Sequence, residues 1–475
     1  MKANVESTFE ASIVELLTSH GWVQGDPAEY SRQLGLAPAE VVRFVEATQP
    51  EAWAKLAALH GPLLVEKFAK RVASEVTARG TVDVLRRGVK DLGVTIKLAF
   101  FAPAHDLTPE LRELFEANRL TVSRQVHHSE SNPLDSVDLM LFINGLPVAT
   151  AELKTQTAGQ SLADAKRQYR QDRNPKDLVF AHRCVVHFAV DQEAVAMTTR
   201  LAGEDTRFLP FNQGSNGPGR DGGKGNPTNP AGARTAYLWE QIWSREVWLD
   251  LFGSFIHVEV DKKTKTSRTV FPRYHQWDAV TRLLETTKAE GPGFNKLVQH
   301  SAGSGKSNSI AWLAHGLARL HTSSDSSRVP VGLGPNVPVF DKVVIVTDRV
   351  VLDRQLQATV AGFEHQPGMI ATIGKDKTSA DLRAALEGKR ARIIVTTLQK
   401  FPVVALAATE LAGTRFAVIA DEAHSSQTGE AAKDLKAVLS GRTGDDALTI
   451  AEAAEAGDTP DLEDALVASA AKRGR

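Results

Sequence analysis

The chain holds a single cysteine, Cys184, in 475 residues. That excludes an intrachain disulfide and any zinc site built from several thiolates. Cys184 lies in the apolar run RCVVHFAV and reads as a buried strand residue rather than a nucleophile. No apolar run approaches the ~20 residues needed to span a bilayer. The opening residues, MKANVESTFE, lack the charged, apolar and small-residue order of a signal peptide. A cytoplasmic address without a membrane partner is therefore expected. An excess of one charge is also missing: 56 Lys and Arg face 57 Asp and Glu, for a net charge of −1. The broad basic footprint of many nucleic-acid binders is absent, so any such contact must come from local grooves. The basic stretches 166–173 and 389–392 read as solvated faces, and no internal repeat is visible.

What the chain does have is a two-part nucleotide motif. HSAGSGKS occupies residues 300–307 and DEAH residues 421–424. A phosphate loop needs glycines so that backbone N–H groups can wrap phosphates, a lysine for charge and a hydroxyl for Mg²⁺. Gly303, Gly305, Lys306 and Ser307 supply these. The partner motif needs an apolar strand ending in carboxylates, one for the metal and one to polarise water; residues 416–420 followed by Asp421 and Glu422 fit. Residues 296–299 read as the strand before the loop and 307–320 as the helix after it.

A chain of this length exceeds one hydrophobic core and implies several domains. Ser7 and Glu10 resemble a capping box opening an amphipathic helix with Phe9, Ile13, Leu16 and Leu17 on one face. More helix is expected to about Gly93, then strands at 94–101, 137–143, 147–154 and 184–190. The stretch 213–232 is rich in glycine and proline and poor in apolar residues, and reads as a mobile linker. The expected domains are 1–205, a flexible segment 206–235, and 236–475, with a second surface insertion at 321–339.

The first domain has chemistry of its own. Asp138 lies at the start of an apolar strand, while Glu152 and Lys154 lie on the next. A phosphodiesterase site needs acids to hold Mg²⁺ and a cation for the developing charge. Positions i and i+2 of a strand share a face, which puts Glu152 beside Lys154. Register decides whether Asp138 joins them. A plain two-residue turn at Asn144-Gly145 pairs Ile143 with Leu146 and sets the two acids on opposite faces. An odd-residue device, either a three-residue loop or a bulge, is therefore expected, with Asp138 facing Glu152. Read without that hairpin, an acid followed by E-x-K is equally an ordinary set of surface charges at strand ends.

With these residues in place, four segments together look like a known family: NPLDSVDLMLFINGLPVATAELK (132–154), TTRLAGEDTRFLPFN (198–212), LVQHSAGSGKSNSIAWLAH (297–315) and DEAHSSQTG (421–429). They resemble the R subunit of type I restriction enzymes, over nearly the whole chain. The resemblance implies an α/β architecture: a PD-(D/E)xK-type nuclease domain with Asp138, Glu152 and Lys154 as its signature, then a first RecA-like lobe of a superfamily 2 helicase-like motor. It implies Mg²⁺ held by Asp138 and Glu152. It also implies ATP bound through Gln276, Gly303, Ser304, Gly305, Lys306, Ser307, Asp421 and Glu422, with Ser307 and Asp421 on the nucleotide's Mg²⁺. The implied partners are double-stranded DNA and the modification (methyltransferase) and specificity subunits of a hetero-oligomer. Residues 345–356 and 395–401 resemble DNA-tracking motifs, in which Thr396, Thr397 or Lys400 would meet phosphates; Arg349 and Arg354 are equally open to ion pairing. His424 would couple nucleotide state to the neighbouring lobe, unless it is a plain buried histidine.

Two departures from the family pattern carry expectations. A Gln-x-x-x-Tyr element usually follows the E-x-K strand, but Ala165 stands four residues before Tyr169, leaving Gln168 and Tyr169 as a partial substitute. The sequence also ends near where the second motor lobe would begin, so the 475-residue polypeptide alone is expected to turn over ATP poorly. Two other readings remain open at this point: a repair or remodelling helicase with a non-catalytic nuclease-like domain, and an assembly module without turnover.

Overall fold

The computed structural model describes residues 2–156, 159–260, 267–301, 303–347, 356–357, 359–361, 368–374, 377–397 and 413–421. The chain divides into two compact units, one made of Met1–Pro103 and Thr108–His275, the other of Ala104–Leu107 and Gln276–Arg475.

In the first unit, helix α1 (Lys2–Ser19) is followed by short strand β1 (Val23–Gln24), helices α2 (Pro38–Thr48), α3 (Pro50–His60), α4 (Leu64–Arg79) and α5 (Thr81–Arg87), and the hairpin β2 (Val89–Asp91) and β3 (Val94–Ile96). Helix α6 (Pro109–Glu116) leads into β4 (Leu120–His127), β5 (Ser136–Ile143) and β6 (Leu146–Leu153). Helix α7 (Leu162–Arg167) continues as a π-helical turn, Gln168–Asp172, before β7 (Val186–Val190), β8 (Val195–Thr198) and β9 (Leu209–Pro210), and helix α8 (Arg245–Asp250) and the hairpin of β10 (His257–Val260) and β11 (Ser267–Val270) follow. Among the described residues seven of these strands form one sheet in the order β1-β4-β5-β6-β7-β8-β9, and β2 and β3 pair apart from it. The β6–β7 pair is parallel, and β5 and β6 are antiparallel. Every residue of β6 and all but the first of β5 are buried, as expected of central strands covered on both faces.

The hairpin β5–β6 uses one of the two odd-residue devices expected, the bulge, and not the three-residue loop. Asn144 (φ 50°) and Gly145 (φ 81°) make a two-residue turn, a backbone that suits Asn-Gly, and Ile143 pairs with Leu146. Left there, the acids would part. Two residues on, however, the register shifts: Phe142 pairs with Pro147, but Leu141 pairs with Ala149. Val148 is the extra residue of a β-bulge. The pairing then runs Met140 with Thr150 and Leu139 with Ala151; carried one residue beyond the ladder, that register would set Asp138 opposite Glu152. The turn is also anchored: Asn144 is fully buried, bonds through its amide to Leu98 O and Asn118 Oδ1 (both 2.9 Å), and accepts from Arg119 N.

Residues 206–235, expected as a flexible linker, are instead stitched into this unit. Gln213 N donates to Asn226 Oδ1 (2.8 Å), Asn226 Nδ2 to Glu193 O (2.9 Å), and the buried Thr235 hydroxyl to Asp191 O (2.7 Å). Strand β9 and the buried Phe211, whose ring lies 5.8 Å from that of Phe188, attach the first part of this stretch, and asparagine and threonine side chains attach the glycine-rich remainder. The division between units falls at His275, so residues 236–275 leave the expected motor domain. Their aromatics explain why: Trp243 and Phe271 pack edge-on against Phe188 of β7, with ring centroids 5.7 and 5.9 Å away. Helix is also shorter than expected, ending at Arg87 before the β2–β3 hairpin.

In the second unit, β12 (Lys342–Thr347), β13 (Ile370–Ile373), β14 (Ile393–Thr397) and β15 (Phe416–Ala420) form a parallel sheet in the order β13-β14-β12-β15. Helix α9 (Tyr274–Glu290) precedes the glycine loop and helix α10 (Lys306–Arg319) follows it. Val344, Val346 and Ile394 pack on Leu382 and Leu386 of the helix Ser379–Glu387. The strand expected at 296–299 does not form; Leu297 is 82% exposed and no regular structure spans 294–301. The insertion 321–339 is held by a bridge between His321 and Pro338, with Val331 exposed.

Candidate functional site

The first unit gathers its ionisable groups where β4, β5 and β6 end against α1. Asp138 and Glu152 face the same side, and Lys154 follows two residues on, its Nζ 3.7 Å from Asp138 Oδ2. All three are buried. The other Asp138 contacts fix its rotamer: Oδ2 accepts from Leu153 N (2.8 Å) and Oδ1 from Gln125 Nε2 (3.2 Å). Glu152 is wholly buried and its Oε1 takes Arg173 Nε and Nη2, both at 2.8 Å. Its second oxygen, Oε2, is buried with no hydrogen-bond partner among the described residues.

Burial pushes the Glu152 carboxyl well above the usual carboxylate range, and the Asp138 charge adds to this; Arg173 and Lys154 pull the other way. Burial opposes the charge on Arg173, but the Glu152 carboxylate outweighs it and holds the guanidinium above its ordinary value. A buried carboxylate atom without a donor is an unstable arrangement by itself. Two facing acids, one with an open oxygen, are the donor set that a hard divalent cation takes. The residues present therefore fit a Mg²⁺ ion, although no ready-made group of three His, Cys, Asp or Glu ligands exists among the described residues.

Three contributors were not foreseen. Glu10, expected as a helix cap, is buried and accepts from Gln125 Nε2 (2.9 Å) and Arg124 Nε (3.2 Å). Burial, then the nearby Asp138 charge, raises its carboxyl. Helix α1 begins earlier than that cap would allow, and Ser7 instead accepts from Arg124 Nη2. Gln125 touches both Glu10 and Asp138. Arg173 stands one helical turn beyond Tyr169, just past a π-helical segment, a feature that often marks functional positions. Tyr169 OH lies 2.8 Å from Thr150 Oγ1, so Tyr169 and Arg173 meet Thr150 and Glu152, alternate residues on one face of β6. Gln168 makes no such contact in the described hydrogen bonds. The only sequence cue to Arg173 was this helical spacing. A cavity of about 340 Å³ lined by Thr8, Phe9, Ser12, Thr155 and Gln192 lies between α1 and the segment after β6; it does not include the acids.

In the second unit, Gly303 (φ 74°) and Gly305 (φ 85°) adopt the left-handed backbone that the phosphate loop requires. Gly305 caps α10, which starts at Lys306 and continues through Ser307, so the loop's amides open at a helix N-terminus, where anions are favoured. Ser304 is buried within the loop. The buried Gln276 donates from Nε2 to Gly305 O (3.0 Å), bringing the glutamine expected at the adenine onto the glycine loop. Asp421 directly follows β15, its N–H bonded to Val346 O (3.0 Å). β12, β14 and β15 thus present their carboxyl ends at one edge, where ligands sit in parallel sheets. Thr396 is wholly buried and Thr397 5% exposed, so neither side chain is open to a DNA phosphate as expected. Glu422, His424, Arg349, Arg354 and Lys400 lie outside the described residues. No helix among the described residues is long and apolar enough to cross a membrane.

Residues 5–206 match the family profile described as type I restriction enzyme R protein N terminus, and residues 275–443 match that of SWI2/SNF2 ATPases. A protein of Methanocaldococcus jannaschii named as a type I restriction enzyme MjaIXP endonuclease subunit is 23% identical over 412 residues. The match takes in 80% of this chain but 36% of that protein, so the chain spans about a third of its relative's length.

Proposed function

Because the chain belongs, as an N-terminal part, to the type I restriction enzyme R proteins, we propose that it cuts DNA and carries an ATP-driven DNA motor within a restriction-modification system. Its proposed partners are double-stranded DNA and modification and specificity subunits, and its proposed cofactors are Mg²⁺ and ATP. The observation that carries the cutting half is the bulge at Val148, which returns Asp138 to the face of Glu152.

In this reading Asp138 and Glu152 hold the divalent cation, Glu152 through its open Oε2. Bound there, Mg²⁺ would polarise the scissile phosphate and lower the pKa of an attacking water. Asp138 is held still by Leu153 N and Gln125, so its carboxylate is already oriented before DNA arrives. Lys154 stands beside it as the cation that offsets charge on the phosphate. Burial on both faces of β6 excludes bulk water and strengthens each of these interactions. Arg173 supplies a counter-charge that pulls the wholly buried Glu152 carboxyl towards its ionised form, against burial and the Asp138 charge.

The motor half rests on the glycine loop. Gly303, Ser304 and Gly305 offer backbone amides to the phosphates, and Lys306 offers charge. Ser307 and Asp421 would hold the nucleotide's Mg²⁺, and Glu422 would orient the attacking water. Gln276, already seated on Gly305 O, reports on nucleotide and loop together.

The test is a cleavage assay of the assembly with modification and specificity subunits, Mg²⁺ and ATP. Glu152→Ala should abolish cutting while ATP turnover continues, and Lys306→Ala should abolish both. Unchanged cleavage by Asp138→Ala and Glu152→Ala would remove the nuclease assignment and leave a DNA-binding domain on a motor.

A further inference from the structure

Gln125 has the least ordinary backbone near the acids. It lies in the middle of β4, yet its φ is +48°, a left-handed conformation that non-glycine residues rarely adopt and that is rarer still within a strand. The β4–β5 ladder skips the pair it would make. Arg124 pairs with Leu139 and Val126 with Val137, while the intervening Gln125 and Asp138 form no ladder pair. Strained backbone at such a point persists only when the surroundings determine it.

What the strain achieves is visible in the contacts. Gln125 Nε2 donates to Glu10 Oε1 at 2.9 Å and to Asp138 Oδ1 at 3.2 Å, and its Oε1 accepts from Ser136 Oγ at 3.0 Å. Gln125 is exposed, whereas Glu10 and Asp138 are buried. One neutral amide at the surface therefore gives a hydrogen to each of two carboxylates beneath it that would otherwise only repel. An ordinary extended residue would lie flat in the ladder against Asp138 and leave these acids without a shared donor.

We propose that Gln125 is a positioning residue for the divalent-cation site: its left-handed backbone aims the carboxamide between Glu10 and Asp138, fixing the Asp138 carboxylate and tying α1 to the site. The inference rests on the nuclease reading and deepens it, because it assigns the orientation of one metal-binding acid to a residue outside the D…E-x-K pattern. A second consequence follows from its exposure. The amide is the part of the site that solvent, and an incoming cation, meets first.

The experiment compares Gln125→Gly, Gln125→Ala and Gln125→Glu in the full chain, with Mn²⁺ titrated in the absence of DNA and nucleotide. Glycine accepts the positive φ without strain, so Gln125→Gly should keep or raise the melting temperature while weakening Mn²⁺ binding about tenfold, roughly the loss of one charge-assisted hydrogen bond. Gln125→Ala should show the same weakened affinity with a lower melting temperature. Gln125→Glu places a third acid against the other two, so it should melt lower than wild type without metal and recover more than wild type when Mn²⁺ is added. In the cleavage assay, Gln125→Gly should raise the metal concentration for half-maximal rate and leave KM for DNA unchanged. Wild-type Mn²⁺ affinity in both Gln125→Gly and Gln125→Ala would overturn the proposal and reduce the conformation to a feature of the sheet. Glu152→Ala keeps this failure separate from that of the nuclease reading: if it too binds Mn²⁺ normally, the metal site itself is misplaced, whereas if it alone loses the ion, only the role of Gln125 falls.

Discussion

The two units prepare their candidate sites by opposite means. In the first, side chains do the work: Asp138, Glu152 and Lys154 are held by Gln125, Arg173 and the Leu153 amide, and the partners come from β4, from β6 and from just past the π-helical turn. In the second, backbone does it. Gly303 and Gly305 take positive φ at the head of α10, and a single glutamine is seated against the loop. A site built from side chains is rigid but depends on distant segments arriving together, whereas a site built from a glycine turn is complete within a few residues.

That contrast can be broken or sharpened by experiment. The largest effect is expected from Asp138→Ala or Glu152→Ala, which should cut the cleavage rate of the assembly by about a thousandfold, comparable to losing a principal electrostatic group in other enzymes. Rates of ATP hydrolysis measured on the same preparations should not fall, because the glycine loop does not draw on the first unit's acids. A parallel fall in both would mean that the two sites are not independent.

Next comes the turn that sets the hairpin register. A Cβ on Gly145 would sit 2.7 Å from Ala37 O and from Val41 N, at φ 81°. Gly145→Ala should therefore destabilise the first unit by about 2–3 kcal/mol, seen as a lower urea midpoint for this unit's transition. An unchanged midpoint would show that α2 yields easily and does not anchor the turn.

Acid should act on the first unit through two buried histidines. Burial, first of all, holds both His128 and His187 down to about 3. In the unfolded chain each titrates near 6.5, so between these values the unfolded state binds more protons and stability falls as pH is lowered. The stability these neutral rings contribute is intact above the unfolded value and is lost progressively towards the folded one. At pH 5 the loss should be about 2 kcal/mol for each. Urea unfolding at pH 5 and at pH 7.5 checks this, and His187→Gln should flatten the dependence.

The smallest effect is expected in the second unit. Gln276→Ala removes one hydrogen bond to Gly305 O and should weaken nucleotide binding by about tenfold, as measured by titration with a fluorescent ATP analogue. Loss of all binding would mean that the glutamine shapes the loop instead of only steadying it.

The same contrast explains what could be read from sequence. The glycine loop and the acidic end of β15 were legible because each is local, and the hairpin acids were legible because alternation along two adjacent strands is arithmetic. Even the need for an odd-residue device could be stated, though whether it was a loop or a bulge depended on packing of Asn144 and Val148. Glu10 was misread as a cap because its partners lie more than a hundred residues away on β4. Gln125 carries no sequence mark of its positive φ. The stretch 206–235 looked detached because its attachments are one short strand, one buried phenylalanine and single asparagine and threonine bonds, which composition does not reveal. The missing strand at 296–299 shows the limit of an apolar run as evidence: Leu297 has the right character and no partner strand in the described sheet.

Val148 has a final implication for how such a chain can change over time. Because one surplus residue flips the orientation of everything beyond it, the count between Asp138 and Glu152 matters more than the identity of most residues there. Apolar swaps of similar volume along the two strands of this hairpin should be tolerated, but loss or gain of a single codon should disarm the cutting face at once, and only a second such event nearby could restore it. Lineages should therefore cross between lengths here in pairs of steps.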